Sequence, residues 1–273
     1  MTTNPTAHTI RLGANRTGLE LRMFTREKEA VFFTFLLPIV LLALFSVVFG
    51  DSFAAGGDEA GVSAARYFLP AMVASGVILT SFQSTALSVA MERDDGLLKR
   101  LRSTPMPPSS FFLGKVGLVV VTSATQTLVL LAVARLAFGV PLPQDAEHWL
   151  TFAWVLLLGV AGGTVLGIAF SSVASARSAG AVVIGPVLLL QFISGVYFPY
   201  SQIPTWLQQV AAVFPLKWVA QGMRSVFLPD DFASLESAGA WEHGRTAVVL
   251  LLWFIGGLVV CLRTFRWFKR GTT

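Results

Sequence analysis

The sequence predicts an all-α polytopic membrane protein with six transmembrane helices, on three observations. First, 54% of its 273 residues are hydrophobic and 13% are charged, giving a mean hydropathy of +0.69, whereas about a quarter of the residues in a soluble domain are charged. Second, six mostly apolar stretches, 31–50, 67–90, 111–134, 149–173, 179–198 and 246–262, approach the ~20 residues that carry a helix across a hydrocarbon core about 30 Å thick. Third, the 20 Lys and Arg residues lie mostly between these stretches and mostly on one side. A water-soluble domain of this length could not hide so much apolar surface. The hydropathy excludes a disordered chain, and without a long basic tract no nucleic-acid partner is expected. One cysteine, Cys261, leaves no intrachain disulfide framework and no thiolate zinc cluster.

The first stretch, Val31 to Gly50, carries no charge and one proline, Pro38. That proline removes a backbone donor and crowds the preceding turn, so a kink is predicted there. A polar, charged leader precedes the run, and no cleavable signal peptide is expected. The second and third stretches are rich in Ser and Thr, which often bond their own helix. Gln83, Gln126 and, in the fifth stretch, Gln191 are the candidates to line a pathway. In the fourth stretch Gly159, Gly163, Gly167, Ser171 and Ser175 recur every four residues. Such a stripe lets two helices approach closely, with packing inside the chain favoured over a subunit interface. Between the fifth and sixth stretches, residues 199–245 carry too many polar groups for a lipid-facing helix, among them Gln208, Lys217, Gln221 and Arg224. Two short helices on or partly within the outer leaflet, broken at Pro215, are predicted instead. Re-entrant structure of that kind is allowed only where protein or water satisfies the backbone.

Charge sets the orientation. With the N-terminus inside, fifteen basic residues fall on the inner side and four (Arg66, Lys217, Arg224 and Arg245) on the outer, with Arg135 near the outer end of the third stretch. Both termini are therefore predicted to be cytoplasmic. The whole chain, 1–273, reads as one membrane domain.

No reaction chemistry is legible. The sequence has no Gly-x-x-x-x-Gly-Lys-Ser/Thr loop, no Gly-x-Ser-x-Gly and no His-Glu-x-x-His. The six stretches hold no Asp or Glu to relay a proton or cation. No catalytic residue and no metal site are expected, so uphill transport would need energy from a partner.

Two loops stand out. The inner one is Glu92-Arg93-Asp94-Asp95-Gly96-Leu97-Leu98-Lys99-Arg100-Leu101-Arg102. Its acids precede its bases, which suits a short helix with charges matched to its dipole. Leu97, Leu98 and Leu101 form one apolar edge. It reads either as a solvated loop of positive-inside charges or as a helix that docks a cytoplasmic partner, leucines as anchor and charges as rim. In the outer loop Gly195, Tyr197, Phe198, Pro199, Pro204 and Pro215 give a sharply punctuated, aromatic path. It reads either as an interfacial loop or as an outer gate.

Three blocks occur in order: Glu92 through Leu101-Arg102-Ser103-Thr104-Pro105, then Gly114-Lys115, then Ser194-Gly195-Val196-Tyr197-Phe198-Pro199 with Ile203-Pro204 and Phe214-Pro215-Leu216. On these the chain resembles the membrane subunits of type-2 ATP-binding-cassette (ABC) exporters, in the branch similar to the daunorubicin/doxorubicin efflux subunit. It departs at Leu97, where that family often has Thr, and at Pro70-Ala71, where it often has Pro-Gly. The resemblance implies a non-enzymatic half-transporter in a bacterial plasma membrane. It would pair with a second permease copy or a paralogue and with two copies of an ABC ATP-binding subunit that holds the ATP and Mg; this chain would bind no cofactor. Residues 9–29 would be an amphipathic connecting helix with Leu12, Leu19 and Met23 on its apolar face. Residues 92–102 would be the coupling helix seated on the ATPase, and 199–228 the re-entrant outer helices. The implied cargo is amphiphilic or lipophilic, a drug, polyketide or lipid, with a lipid or glycan building block as the alternative. A secondary transporter would need coupling-ion ligands or inverted repeats, and a non-transporting scaffold is the other rival.

Overall fold

The computed structural model of the protein describes residues 5–50, 62–104, 107–175 and 177–265, and the regular structure among them is helical. In chain order the helices are α1 (Pro5–Arg26), α2 (Lys28–Val48), α3 (Ala64–Asp94), α4 (Leu97–Arg102), α5 (Pro108–Phe138), α6 (Ala146–Ser171), α7 (Gly180–Ile193), α8 (Thr205–Val213), α9 (Pro215–Phe227) and α10 (His243–Thr264). Two 3-10 turns, Tyr200–Gln202 and Asp230–Leu235, complete the set. Pro105, Arg266, Lys269 and Arg270, which entered the loop and charge arguments above, lie outside the described residues.

Among the described residues five helices, α2, α3, α5, α6 and α10, are long and apolar enough to cross a membrane. They cover five of the six predicted stretches, and α2 runs through Pro38 as one helix. The fifth stretch differs. It is helical only over Gly180–Ile193, five residues of π-helix followed by nine of α-helix. At 1.5 Å per residue this is roughly 21 Å, short of the ~30 Å hydrocarbon core. The cause lies at its C-terminal end, where Gly195 takes φ +75° and turns the chain, so 194–198 is a bend rather than another helical turn.

Local chemistry sets the other boundaries. Pro108 starts α5 at a position where its missing N–H costs nothing. Gly139, at φ +66°, ends it in a left-handed turn whose following amide, Val140, donates to the Ala134 carbonyl at 3.0 Å. Asp145 caps α6 by accepting from the His148 amide at 3.2 Å.

The α6 stripe serves packing within the chain. A Cβ added at Gly163 would stand 2.9 Å from the Ser81 Cβ, and one at Gly167 would stand 2.6 Å from the Phe82 carbonyl oxygen. Gly159 faces Val219 and Val77. The partner stretch on α3 is a π-helical segment, Leu79–Ser84.

Helix α9 was predicted at the outer leaflet. It is buried from Leu216 to Phe227 and packs on α3, α6 and α10. Phe68, Met72, Leu216, Trp218 and Met223 share the main core. The polar residues that bar α9 from lipid also explain this position, because protein groups supply their partners. Helix α8 stays peripheral, with Trp206 and Val213 exposed.

Candidate functional site

At one end of the bundle α1 lies against α5. Two α5 glycines permit the approach: a Cβ at Gly114 would stand 2.9 Å from the Arg16 Cβ, and one at Gly117 would stand 2.7 Å from the Thr17 Cγ2. The face of α1 that meets α5 is therefore Gly13, Arg16 and Glu20, while Leu19 and Met23, on the apolar face, are exposed. The helix spans Pro5–Arg26 rather than 9–29 and breaks at Glu27, whose ψ of 78° is non-helical, before α2 begins.

This approach assembles a buried charge junction. Lys115 Nζ donates to Glu20 Oε2 at 2.9 Å, to Ser88 Oγ at 2.8 Å and to Glu92 Oε1. Arg16 Nη2 lies 2.5 Å from Glu20 Oε1. All four charged residues are buried, Lys115 to 1% exposure. Phe111 closes the apolar side, its ring centroid 5.9 Å from both cations. Two acids and two bases balance, as buried charges require. Sequence reasoning placed Arg16 only among the inner basic residues, and Lys115 among them and in the Gly114-Lys115 block, with no buried ion pair assigned to either. The readable signal was Lys115 itself, a lone charge just inside an apolar run.

The inner loop 92–102 is two elements, which corrects the single short helix predicted. Glu92, Arg93 and Asp94 end α3; Gly96, at φ +74°, breaks the chain; Leu97–Arg102 forms α4. Glu92 thus sits at a helix C-terminus, where the dipole disfavours a carboxylate, and Lys115 offsets this. The leucine edge is also reassigned. Leu98 is fully buried with Val89 and Phe111, and Leu101 packs beside them, so both anchor α4 to its own chain. Leu97 is half-buried, while Asp95, Lys99, Arg100 and Arg102 face out. Arg93 donates to the Ala174 carbonyl and fixes the α3 end to the turn after α6.

The opposite end carries a cap. Gly195 turns the chain beneath Tyr200, and its carbonyl accepts from Arg224 Nη1 at 3.4 Å. Pro199 leads into the 3-10 turn, Pro204 precedes α8 and Pro215 opens α9. Tyr197 donates to Gln191 at 2.7 Å, and Phe198 is exposed. The segment 229–243 is tied down over α9. Arg224 Nε meets Glu236 Oε1 at 2.5 Å, Gln221 Nε2 donates to the Ala240 and Trp241 carbonyls at 3.1 and 3.0 Å, and Lys217 lies 3.9 Å from Glu242. Lys217 also donates to Gln221 and sits 3.7 Å from the Trp218 ring centroid. Burial pulls its amine down to about 8 against the pull of Glu236 and Glu242. Burial and the Glu236 carboxylate push the Tyr200 phenol up to about 12.

Between the two ends, Thr80 donates to Gln126 Oε1 at 2.7 Å, and Ser75 donates to Gln191 Oε1 at 2.6 Å. Gln126 and Gln191 are buried and join α3 to α5 and α3 to α7. Gln83 is half-buried on the π segment. The described residues contain no group of His, Cys, Asp and Glu arranged to hold a metal.

Several apolar membrane-length helices, packed around buried polar ties, define a multi-pass helical membrane protein. More narrowly, the chain belongs to the ABC-2 type transporter family, whose model matches residues 18–228. It is 25% identical over 174 residues to the probable multidrug ABC transporter permease YbhR of Escherichia coli K12, covering 62% of this chain and 45% of that one. It is 24% identical over 248 residues to the probable doxorubicin resistance ABC transporter permease protein DrrC of Mycobacterium tuberculosis H37Rv, covering 88% and 82%. It is 22% identical over 219 residues to the inner membrane transport permease YadH of Escherichia coli K12, covering 79% and 84%. Against YbhR the chain spans about half the relative's length.

Proposed function

We propose that this chain is the membrane-spanning half of an ATP-driven exporter, paired with a second permease and powered by two separate ABC ATP-binding subunits on the cytoplasmic side. In this reading α7, with the bend that follows it, completes a sixth crossing, and both termini face the cytoplasm of a bacterial plasma membrane. The excess of basic residues on the α1, α4 and α10 C-terminal side supports that orientation. The cargo is amphiphilic or lipophilic, a drug, polyketide or lipid, and the similarity to YbhR, a probable multidrug permease, and DrrC, a probable doxorubicin resistance permease, favours the first of these. A lipid or glycan building block is the alternative cargo.

The observation that carries this reading is α4. A short helix is fixed to the bundle by Leu98 and turns its charges, Lys99, Arg100 and Arg102, outward between two of the long helices, with Asp95 exposed just before it. A partner that draws on this face moves α3 and α5 with it, because Leu98 packs on Val89 of one and Phe111 of the other. The Lys115 junction extends that displacement to α1. At the far end the cap over α9 acts as the outer gate, with Gly195, Pro199, Pro204 and Pro215 shaping it. Gln83, Gln126 and Gln191 mark the polar positions along the bundle that a path would meet.

The test is transport in inverted vesicles containing the chain with and without a candidate ATP-binding subunit, across a panel of amphiphiles. The reading predicts ATP-dependent accumulation only when both proteins are present. Uptake by the chain alone would overturn it.

A further inference from the structure

Helix α3 is not uniform along its length. Its outer part, 64–78, has thirteen of fifteen residues buried and supplies Phe68, Leu69 and Met72 to the main core. Its inner part, 85–94, has five of ten buried. Two small clusters hold it, Ala86 and Ala90 with Ala174 and Val183, and Val89 with Leu98 and Phe111.

Between the two parts lies the π-helical turn Leu79–Ser84. Such a turn carries one residue too many for the α-helical ladder, and helices bend where it occurs. Here side chains hold it. Ser84 Oγ donates to the Leu79 carbonyl, five residues back, at 3.0 Å, and Thr80 Oγ1 ties the turn to Gln126 of α5. On the α6 side Gly163 and Gly167 close on Ser81 and Phe82. The turn is pinned on two sides, and the part beyond it is held less firmly.

That inner part has space beside it. A cavity of about 290 Å³ opens between it and the elbow of α1 and α2. Ser84, Ser88 and Met91 of α3 line it, opposite Ala30, Phe33 and Thr34 of α2. A close-packed interior resists displacement; this void gives residues 85–94 room to move. At their inner end they continue through Gly96 into α4.

We propose that the π turn is the hinge of α3. Pivoting at Leu79–Ser84, residues 85–94 carry α4 as they swing into the cavity, while 64–78 stay in the core. The hinge stands on this chain's own geometry. Only the force that drives it, a subunit drawing on α4, rests on the exporter reading.

The test places spin labels on the full chain in lipid nanodiscs, in a Cys261→Ser background diluted with unlabelled chain. Distances are read by double electron–electron resonance. Met91→Cys with Leu136→Cys reports the inner part of α3, and Ser63→Cys with Val116→Cys the outer part; all four positions are exposed. In the chain alone the first distribution should be broader than the second. Deleting Gln83, which restores an α-helical ladder with both flanks in register, should narrow it to the width of the second. Gln83→Ala, which keeps the length, should not. Ala30→Trp, which fills the cavity from α2, should narrow it too. Equal widths in the parent chain, or a breadth that neither the deletion nor Ala30→Trp narrows, would overturn the proposal. With an ATP-binding subunit and ATP added, the first distance should shift by several ångström and the second should hold. An equal shift of both would overturn the hinge. A breadth that depends on Gln83, with no response to the subunit, would remove the exporter reading and leave the hinge.

Discussion

Lys115 Nζ lies 2.9 Å from Glu20 Oε2, joining two residues 95 positions apart and holding α1 to α5 beneath the bundle. The amine is the hub, because Glu92 and Ser88 share it. Removing it alone leaves two buried carboxylates facing one arginine. Lys115→Met should therefore cost about 3–5 kcal/mol of stability. The double change Glu92→Gln, Lys115→Met, which keeps the Arg16–Glu20 pair and leaves no unpaired buried charge, should recover much of that loss. Thermal unfolding of the purified chain in detergent measures both, and additive losses would contradict the network.

The α1–α5 contact depends on hydrogen at Gly114 and Gly117, since a Cβ at either would stand under 3 Å from Arg16 or Thr17 side-chain carbon. Gly117→Val should destabilise by about 1–3 kcal/mol through overpacking. Gly18→Ala, where a Cβ meets nothing within 4 Å, should be neutral or slightly stabilising. Comparing the two unfolding midpoints checks the claim.

Leu98 and Arg100 should respond differently to substitution. Leu98→Asp places a charge in a fully buried site between Val89 and Phe111. It should lower stability and yield of the permease itself, by several kcal/mol in order of magnitude. Lys99→Glu with Arg100→Glu changes only exposed groups. It should leave the fold intact and weaken capture of the ATP-binding subunit by about tenfold at low salt, less as salt rises. Unfolding curves and co-purification at two ionic strengths separate these outcomes.

Much of this was legible in the sequence. Five spans follow from uninterrupted apolar runs, and the Gly159–Gly163–Gly167 stripe was readable as intrachain packing because its spacing places the three glycines on one face. The charged inner loop was visible as a unit, but its break at Gly96 was not weighted, so Glu92 was assigned to the wrong helix end. The direction of Leu98 depends on Phe111 arriving from α5, a tertiary fact with no local signature. The junction was hidden for the same reason: Arg16, Glu20, Ser88, Glu92 and Lys115 come from three helices distant in sequence. The span at 179–198 was overextended because hydropathy does not register the backbone turn that Gly195 makes. Helix α9 showed its polar groups plainly, but whether lipid, water or protein satisfies them depends on the whole bundle.

Lys217 gives the outer cap a pH dependence. Its folded value is about 8, against about 10.4 for an unfolded lysine. Below about 8 both states are protonated and the burial cost is present in full. As pH rises from there toward about 10, the folded amine releases its proton while the unfolded one keeps it. The unfolded state then binds more protons, and stability rises with pH. The midpoint of the parent chain should therefore climb over this window relative to Lys217→Met. Parallel profiles would assign the rise to other groups.

The central claim is that α4 is the face on which a separate ATP-binding subunit acts. The direct measurement is cysteine cross-linking to that subunit in native membranes, on a Cys261→Ser background, comparing Arg100→Cys on α4 with Asp145→Cys beyond the far end of α5. The account predicts a cross-link from position 100 that changes in yield when ATP is added, and none from position 145. A cross-link from position 145 and not from position 100 would contradict it.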